Sequence, residues 1–137
     1  MKIAVFFLLF VCAVAAQANR TVWDGVYTVQ QAERGKFDYK ESCAQCHGED
    51  LGGGGDAVMD PPPPLKVENF GVGRRDLGNL YDFMRAQMPG NAPGSLPRAV
   101  YADILAYLLR ENSYPPGSVE LPDDSDALSR IHVVKKP

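Results

Sequence analysis

Cys43-Ala44-Gln45-Cys46-His47 is the stretch on which the reading of this chain turns. The pattern C-x-x-C-H is the signature of covalent c-type haem attachment. Its two sulfurs reach the two vinyl groups on one edge of a porphyrin and form thioether bonds. The histidine next in the chain is then delivered beneath the iron, with little conformational freedom left to lose, and becomes the proximal ligand. Other readings of a C-x-x-C pair find little support around it. No second Cys/His pair completes a tetrahedral zinc site, and the βαβ context of a thioredoxin-type redox pair is missing. A structural disulfide between cysteines this close, at what reads as a helix end, is also a poor fit.

Upstream, Thr28 followed by Gln31 reads as a capping box, and Val29 to about Ser42 puts Ala32, Gly35 and Tyr39 on one face, which predicts a first helix. A glycine inside a helix costs roughly 1 kcal/mol against alanine, so Gly35 marks either close packing by another helix or an interruption. Downstream, Gly52 to Gly55 and Pro61 to Pro64 sustain neither a helix nor a central strand and read as an extended loop. A second helix starts at Asp76 as N-cap, carries the stripe Leu77, Leu80, Tyr81 and Met84, and ends at Pro89. After a turn-rich segment, about Arg98 to Glu111 forms the clearest helix, with Val100, Tyr101, Ile104, Leu105, Tyr107 and Leu108 on a broad apolar face. Asn112 and Pro115 stop it. From about residue 114 to Pro137 the chain mixes prolines and aspartates with an apolar patch at Leu128, Ile131, Val133 and Val134, and is expected to cross the surface. Asp123, Asp124 and Asp126 read as a solvated acidic stretch. No run of alternating strands is present, so the expected class is all-α, with three to four helices around one covalently bound haem.

Lys2 precedes a 14-residue run, Ile3 to Ala16, without a charged or strongly polar side chain. A membrane-spanning helix needs about 20 such residues, so the run reads as a signal peptide. Ala16-Gln17-Ala18 fits the A-x-A cleavage pattern, giving 1–18 as signal peptide and 19–137 as one domain. Cleavage removes Cys12 and leaves Cys43 and Cys46 as the only cysteines. The expected location is the periplasm, with no membrane insertion after the signal is removed. The formal net charge of −3, without a clustered basic face, argues against nucleic-acid binding.

Candidates for the sixth iron ligand are Met59, Met84, Met88 and His132. Met88 is favoured by geometry. It follows Met84 by one helical turn, and Pro89 pulls it out of αR geometry, freeing the thioether to leave the helix end. Met84, mid-helix on the apolar stripe, reads as core packing. Met59 lies in the Gly/Pro loop, and His132 would make a bis-imidazole iron of lower potential. His/Met ligation raises the reduction potential and leaves no site for oxygen or peroxide, which describes an electron carrier. The alternative is a haem enzyme or a gas- or peroxide-binding haem sensor with an open sixth position. Pro63 or Pro64 offers a carbonyl to the free N–H of the ligating imidazole. Arg74 and Arg75 read either as partners of the haem propionates or as solvated cations.

These residues resemble class I monohaem cytochromes c, most closely the cytochrome domains and subunits associated with bacterial quinoprotein (PQQ-dependent) dehydrogenases. The carrying segments are Gly25 to Thr28, Gln31 to Gly35, Cys43 to Gly48, Met88-Pro89 and Tyr101 to Leu109. The resemblance implies a compact all-α fold in which the first and last helices cross, Gly35 and Tyr39 meeting the face that carries Tyr107. It also implies one haem c with its iron, bound through Cys43, Cys46, His47 and Met88, with His47 and Met88 as axial ligands and Pro63 supplying the carbonyl to His47. The implied partners are redox proteins, a dehydrogenase as donor and a cytochrome or oxidase as acceptor. The chain departs from the family pattern at Lys66-Val67, where a glycine is usual, and at Pro97, which replaces a small N-cap.

Overall fold

The computed structural model describes residues 20–54 and 62–137. The proposed leader, 1–18, and Met59 lie outside the described residues. The elements run in the order β1 (Arg20–Thr21), α1 (Val29–Ser42), α2 (Ala44–His47), α3 (Leu77–Gln87), α4 (Arg98–Glu111), α5 (Ser125–Leu128) and β2 (Ile131–His132). The fold is thus mostly helical. Three helices carry it and two single-turn helices complete it.

Helix α1 starts where its cap predicts, the Thr28 hydroxyl accepting the Gln31 N–H at 3.1 Å. The second half of the expected capping box is not formed. Gln31 is buried, and its side-chain amide instead pairs with the backbone of Leu121, donating to the carbonyl at 3.0 Å and accepting from the N–H at 2.7 Å. Tertiary pairing to a backbone strand takes precedence over the local bond because both Leu121 groups are buried and need partners.

Gly35 resolves in favour of close packing. A Cβ built on it would lie 1.7 Å from the Asp103 carbonyl oxygen, so α1 and α4 touch backbone to backbone there. One turn on, the Tyr39 and Tyr107 rings meet with centroids 5.3 Å apart. At the same crossing Arg34 bridges Asp103 at 2.8 Å and Glu120 at 2.9 Å. The crossing carries a large share of the core, with Ala32 and Tyr39 of α1 and Tyr101, Ile104, Leu105 and Leu108 of α4 all buried.

Helix α3 opens on Asp76, whose carboxylate accepts the backbone N–H of Asn79 at 2.9 Å, and buries Leu77, Leu80, Tyr81 and Met84 as a stripe. Pro97 precedes α4 without a side-chain cap. The segment after Tyr114 does more than cross the surface. Tyr114, Leu121, Leu128, Ile131 and Val133 belong to the core, whereas Val134 of the expected patch is exposed. Helix α5 packs against α3 at Gly78, where a Cβ would lie 2.7 Å from the Ser125 carbonyl oxygen. Asp124 caps α5 by accepting from Ala127 N–H at 2.8 Å, so one of the three aspartates has a structural task. Strands β1 and β2 pair in parallel, Arg20 opposite Ile131 and Thr21 opposite His132. Among the described residues no helix is long and apolar enough to cross a membrane.

Candidate functional site

The C-x-x-C-H segment is one helical turn hung from the end of α1. Cys43 N–H donates to the Tyr39 carbonyl at 2.8 Å, and the Cys43 carbonyl accepts from Cys46 N–H at 3.1 Å and His47 N–H at 2.9 Å. Beyond His47 the chain reverses at Gly48, whose φ of +78° suits a residue without a Cβ. The Tyr39 hydroxyl donates to the Gly48 carbonyl at 2.7 Å and fixes that reversal. Gly53 N–H then returns to the His47 carbonyl at 2.9 Å. Leu51, buried at a φ of +61°, presents its carbonyl to the N–H groups of Leu65 at 2.8 Å and Lys66 at 3.2 Å. Asn112 ties down the same strand of chain, donating to the Leu65 carbonyl at 2.8 Å and accepting from Val67 N–H at 2.9 Å. These bonds bring Pro62 and Pro63 into the same cavity as His47.

That cavity has a volume of about 600 Å³, within the range of small-molecule and cofactor sites. Its lining includes Cys43, Cys46, His47 and Pro63 together with Met84 and Met88. Leu65, Phe70, Leu80, Phe83, Leu96, Ile104 and Leu108 make most of the remainder apolar. Met88 caps the C-terminal end of α3 in extended geometry, φ −124° and ψ 151°, as its following proline requires. Its N–H still donates to the Met84 carbonyl at 2.8 Å, and its own carbonyl accepts the Tyr101 hydroxyl at 2.6 Å.

Burial pushes the His47 imidazole below its ordinary pKa, opposed by the Pro63 carbonyl, which acts as a hydrogen-bond acceptor. The neutral ring is therefore favoured, the form that binds iron. Its Nδ1 is buried and has no hydrogen bond of full geometry, so it is a donor that the Pro63 carbonyl is placed to receive. The Cys43 thiol is pushed up to about 11, mainly by burial, with Asp38 and Cys46 adding to it. Neither Cys43 nor Cys46 is in a disulfide, and Cys46 is exposed. Among the described residues no three His, Cys, Asp or Glu side chains cluster as a metal-ion site. A pair of unpaired thiols, a buried imidazole with one unmatched nitrogen and an apolar cavity reached by two thioethers fit a haem held by C-x-x-C-H.

The structure thus brings Cys43, Cys46, His47, Pro63 and Met88 to one cavity, and adds Met84 to its lining. His132 is elsewhere, on β2 beside β1, and is absent from that lining. Arg74 and Arg75 do not line it either. Arg74 lies over the Phe83 ring at 4.0 Å, and Arg75 pairs with Asp76 at 3.4 Å. Sequence reasoning missed Asn112 as a clamp and the hydroxyls of Tyr39 and Tyr101 as backbone anchors. Both tyrosines stood out only as members of an apolar face.

Comparison with known proteins adds three findings. A family model described as "Cytochrome C oxidase, cbb3-type, subunit III" matches residues 30–108. A protein named thiosulfate dehydrogenase from Stutzerimonas stutzeri (strain A1501) is 35% identical over 78 residues, which cover 55% of this chain but 25% of that relative. The crystal structure of the sulfane dehydrogenase SoxCD from Paracoccus pantotrophus aligns over 81% of this chain and 61% of its own, with 19% identity and a TM-score of 0.45.

Proposed function

This chain belongs to the cytochrome family described as cytochrome c oxidase, cbb3-type, subunit III, and from that membership we propose a periplasmic electron carrier between a dehydrogenase-type donor and a downstream cytochrome or oxidase. Its cofactor is haem c, one covalently bound group with iron, and Cys43, Cys46 and His47 fit the attachment motif. When bound, that group supplies a one-electron Fe(III)/Fe(II) couple.

Cys43 and Cys46 would hold the porphyrin edge through thioethers, and His47 would ligate the iron with the neutral imidazole that burial favours. The Pro63 carbonyl would receive the other imidazole N–H and so fix the ring orientation. Met88 would hold the iron from the other side of the cavity, and its neutral thioether would favour the reduced state. Apolar neighbours such as Leu80, Phe70 and Ile104 line the cavity and would keep water from the bound group. The observation that carries the reading is the single cavity shared by Cys43, Cys46, His47, Pro63 and Met88. Two methionines in that lining support a filled sixth position over the open one of a sensor or peroxide enzyme.

The boundaries are part of the proposal, with residues 1–18 as an export leader and 19–137 as the cytochrome c domain. The likeness to a thiosulfate dehydrogenase supports a dehydrogenase-linked setting. A quinoprotein donor rests on the sequence resemblance alone.

The test begins with intact mass after expression in a host with haem-ligation machinery, where one haem per chain is expected. The ferric protein should show the weak far-red sulfur-to-iron band, and the ferrous spectrum should not change with carbon monoxide. Met88→Ala should keep the haem, lose that band, lower the potential and bind carbon monoxide, whereas Met84→Leu should keep it. A high-spin wild-type spectrum that shifts with carbon monoxide would favour the open-site enzyme or sensor instead.

A further inference from the structure

We propose that Tyr101 is a positioning residue that holds Met88 at the iron by pinning its backbone carbonyl; this rests on the reading of Met88 as axial ligand. Met88 sits at the end of α3, where the last carbonyls have no partner within the helix. Its thioether hangs on a flexible, unbranched side chain, so the place from which it starts depends on the backbone. Two donors reach that carbonyl, the Tyr101 hydroxyl at 2.6 Å and the Gly94 N–H at 3.3 Å. The first is the shorter and comes from a different helix.

Tyr101 is itself a fixed point. It is 2% exposed and belongs to α4, which α1 grips at Gly35. Its ring stands edge-on to Tyr81 at 6.5 Å, and the Tyr81 hydroxyl donates to the carbonyls of Arg98 at 3.1 Å and Asp123 at 3.0 Å. Met88 is therefore referenced to the rigid helix crossing as well as to the end of its own helix. Any exogenous ligand must displace the thioether, and displacement is easier when the backbone behind it is free to move.

The experiment titrates the haem-loaded ferric protein with imidazole. Tyr101→Phe keeps the ring and removes only the hydroxyl, so haem attachment and the far-red band should persist. Its apparent imidazole affinity should rise about fivefold, the factor that one hydrogen bond of ordinary net worth sets. Tyr107→Phe is the control, because Tyr107 shares α4 with Tyr101 but packs its ring on Tyr39 of α1 and is absent from the lining of the cavity. It should titrate like wild type. Unchanged affinity in Tyr101→Phe, or an equal rise in Tyr107→Phe, overturns the inference while the wild-type band leaves Met88 ligation standing. Absence of the band from wild type overturns the ligation reading itself, and the inference with it. Should Tyr101→Phe fail to accumulate, NMR of the unsubstituted ferrous protein decides. A slowly exchanging Tyr101 hydroxyl proton is expected, and rapid exchange would overturn the inference.

Discussion

The cavity has two anchoring segments, one around His47 and one around Met88, and they are held by contacts of different range. The His47 segment is fastened by near neighbours. Tyr39 reaches Gly48 across 9 residues, and the turn from Cys43 to Gly53 closes on itself through backbone bonds. The Met88 segment adds to its near contacts a set of supports from farther along the chain. Tyr101 reaches it across 13 residues, Tyr81 in the same helix bonds to Asp123 across 42, and α5 lies against Gly78. The turn that carries the C-x-x-C-H motif is thus preorganised locally, whereas the Met88 end of the cavity leans more on the tertiary fold. Local closure carries little loop entropy and long-range closure carries more.

The strongest way to break this difference is to remove what both segments share. Gly35→Ala would drive a methyl into the Asp103 carbonyl and force α1 from α4, with an expected loss of about 3 kcal/mol in denaturant unfolding. Helix propensity alone predicts a gain of roughly 1 kcal/mol, so the sign of the result is decisive. A neutral or stabilising outcome would mean that the helices do not touch there.

A smaller effect should sharpen the contrast. Gln31→Ala leaves the buried N–H and carbonyl of Leu121 without partners and should lose about 2 kcal/mol. Hydrogen exchange is then expected to quicken in residues 114–132 while the turn around His47 keeps its protection. Equal loss of protection in both places would erase the distinction.

The smallest effect is confined to α3 and depends on pH. Burial raises the Asp76 carboxyl, but the side-chain and backbone N–H groups of Asn79, with Arg75, outweigh it and hold its pKa below the ordinary value. A depressed folded-state pKa adds stability that is complete above the unfolded value of about 4 and is lost as pH falls through the folded one. Asp76→Ala should therefore lose about 1 kcal/mol near neutrality and progressively less in acid, followed as unfolding free energy against pH. A difference that stays constant with pH would show that the carboxylate charge is not its source.

Much of the framework was legible in the sequence because its signals are local. Thr28, Asp76 and Pro89 mark helix ends within one turn of themselves, and α1 and α4 run over the spans that their apolar stripes predict. The C-x-x-C-H turn is equally local. Gly35 left two readings open, since only the position of Asp103 distinguishes close packing from interruption. Gln31, Asn112 and Tyr101 were opaque for the same reason, because the backbone groups that they satisfy are remote in sequence and leave no periodic trace. The final segment was underestimated because Leu121 stands alone among prolines and acidic residues, without a stripe to announce that it is buried.

The pairing of β1 with β2 joins residues at nearly opposite ends of the described chain, Arg20 with Ile131. This seam cannot form until residues 131 and 132 are available to meet residues 20 and 21. Helix α5 and the segment around Leu121 likewise lie far along the chain from the residues they meet. The cysteine turn, by contrast, has its immediate bonding partners within residues 39–66. The attachment turn therefore needs only a short span of chain to take its shape, whereas the seam that closes the fold draws on residues more than a hundred positions apart.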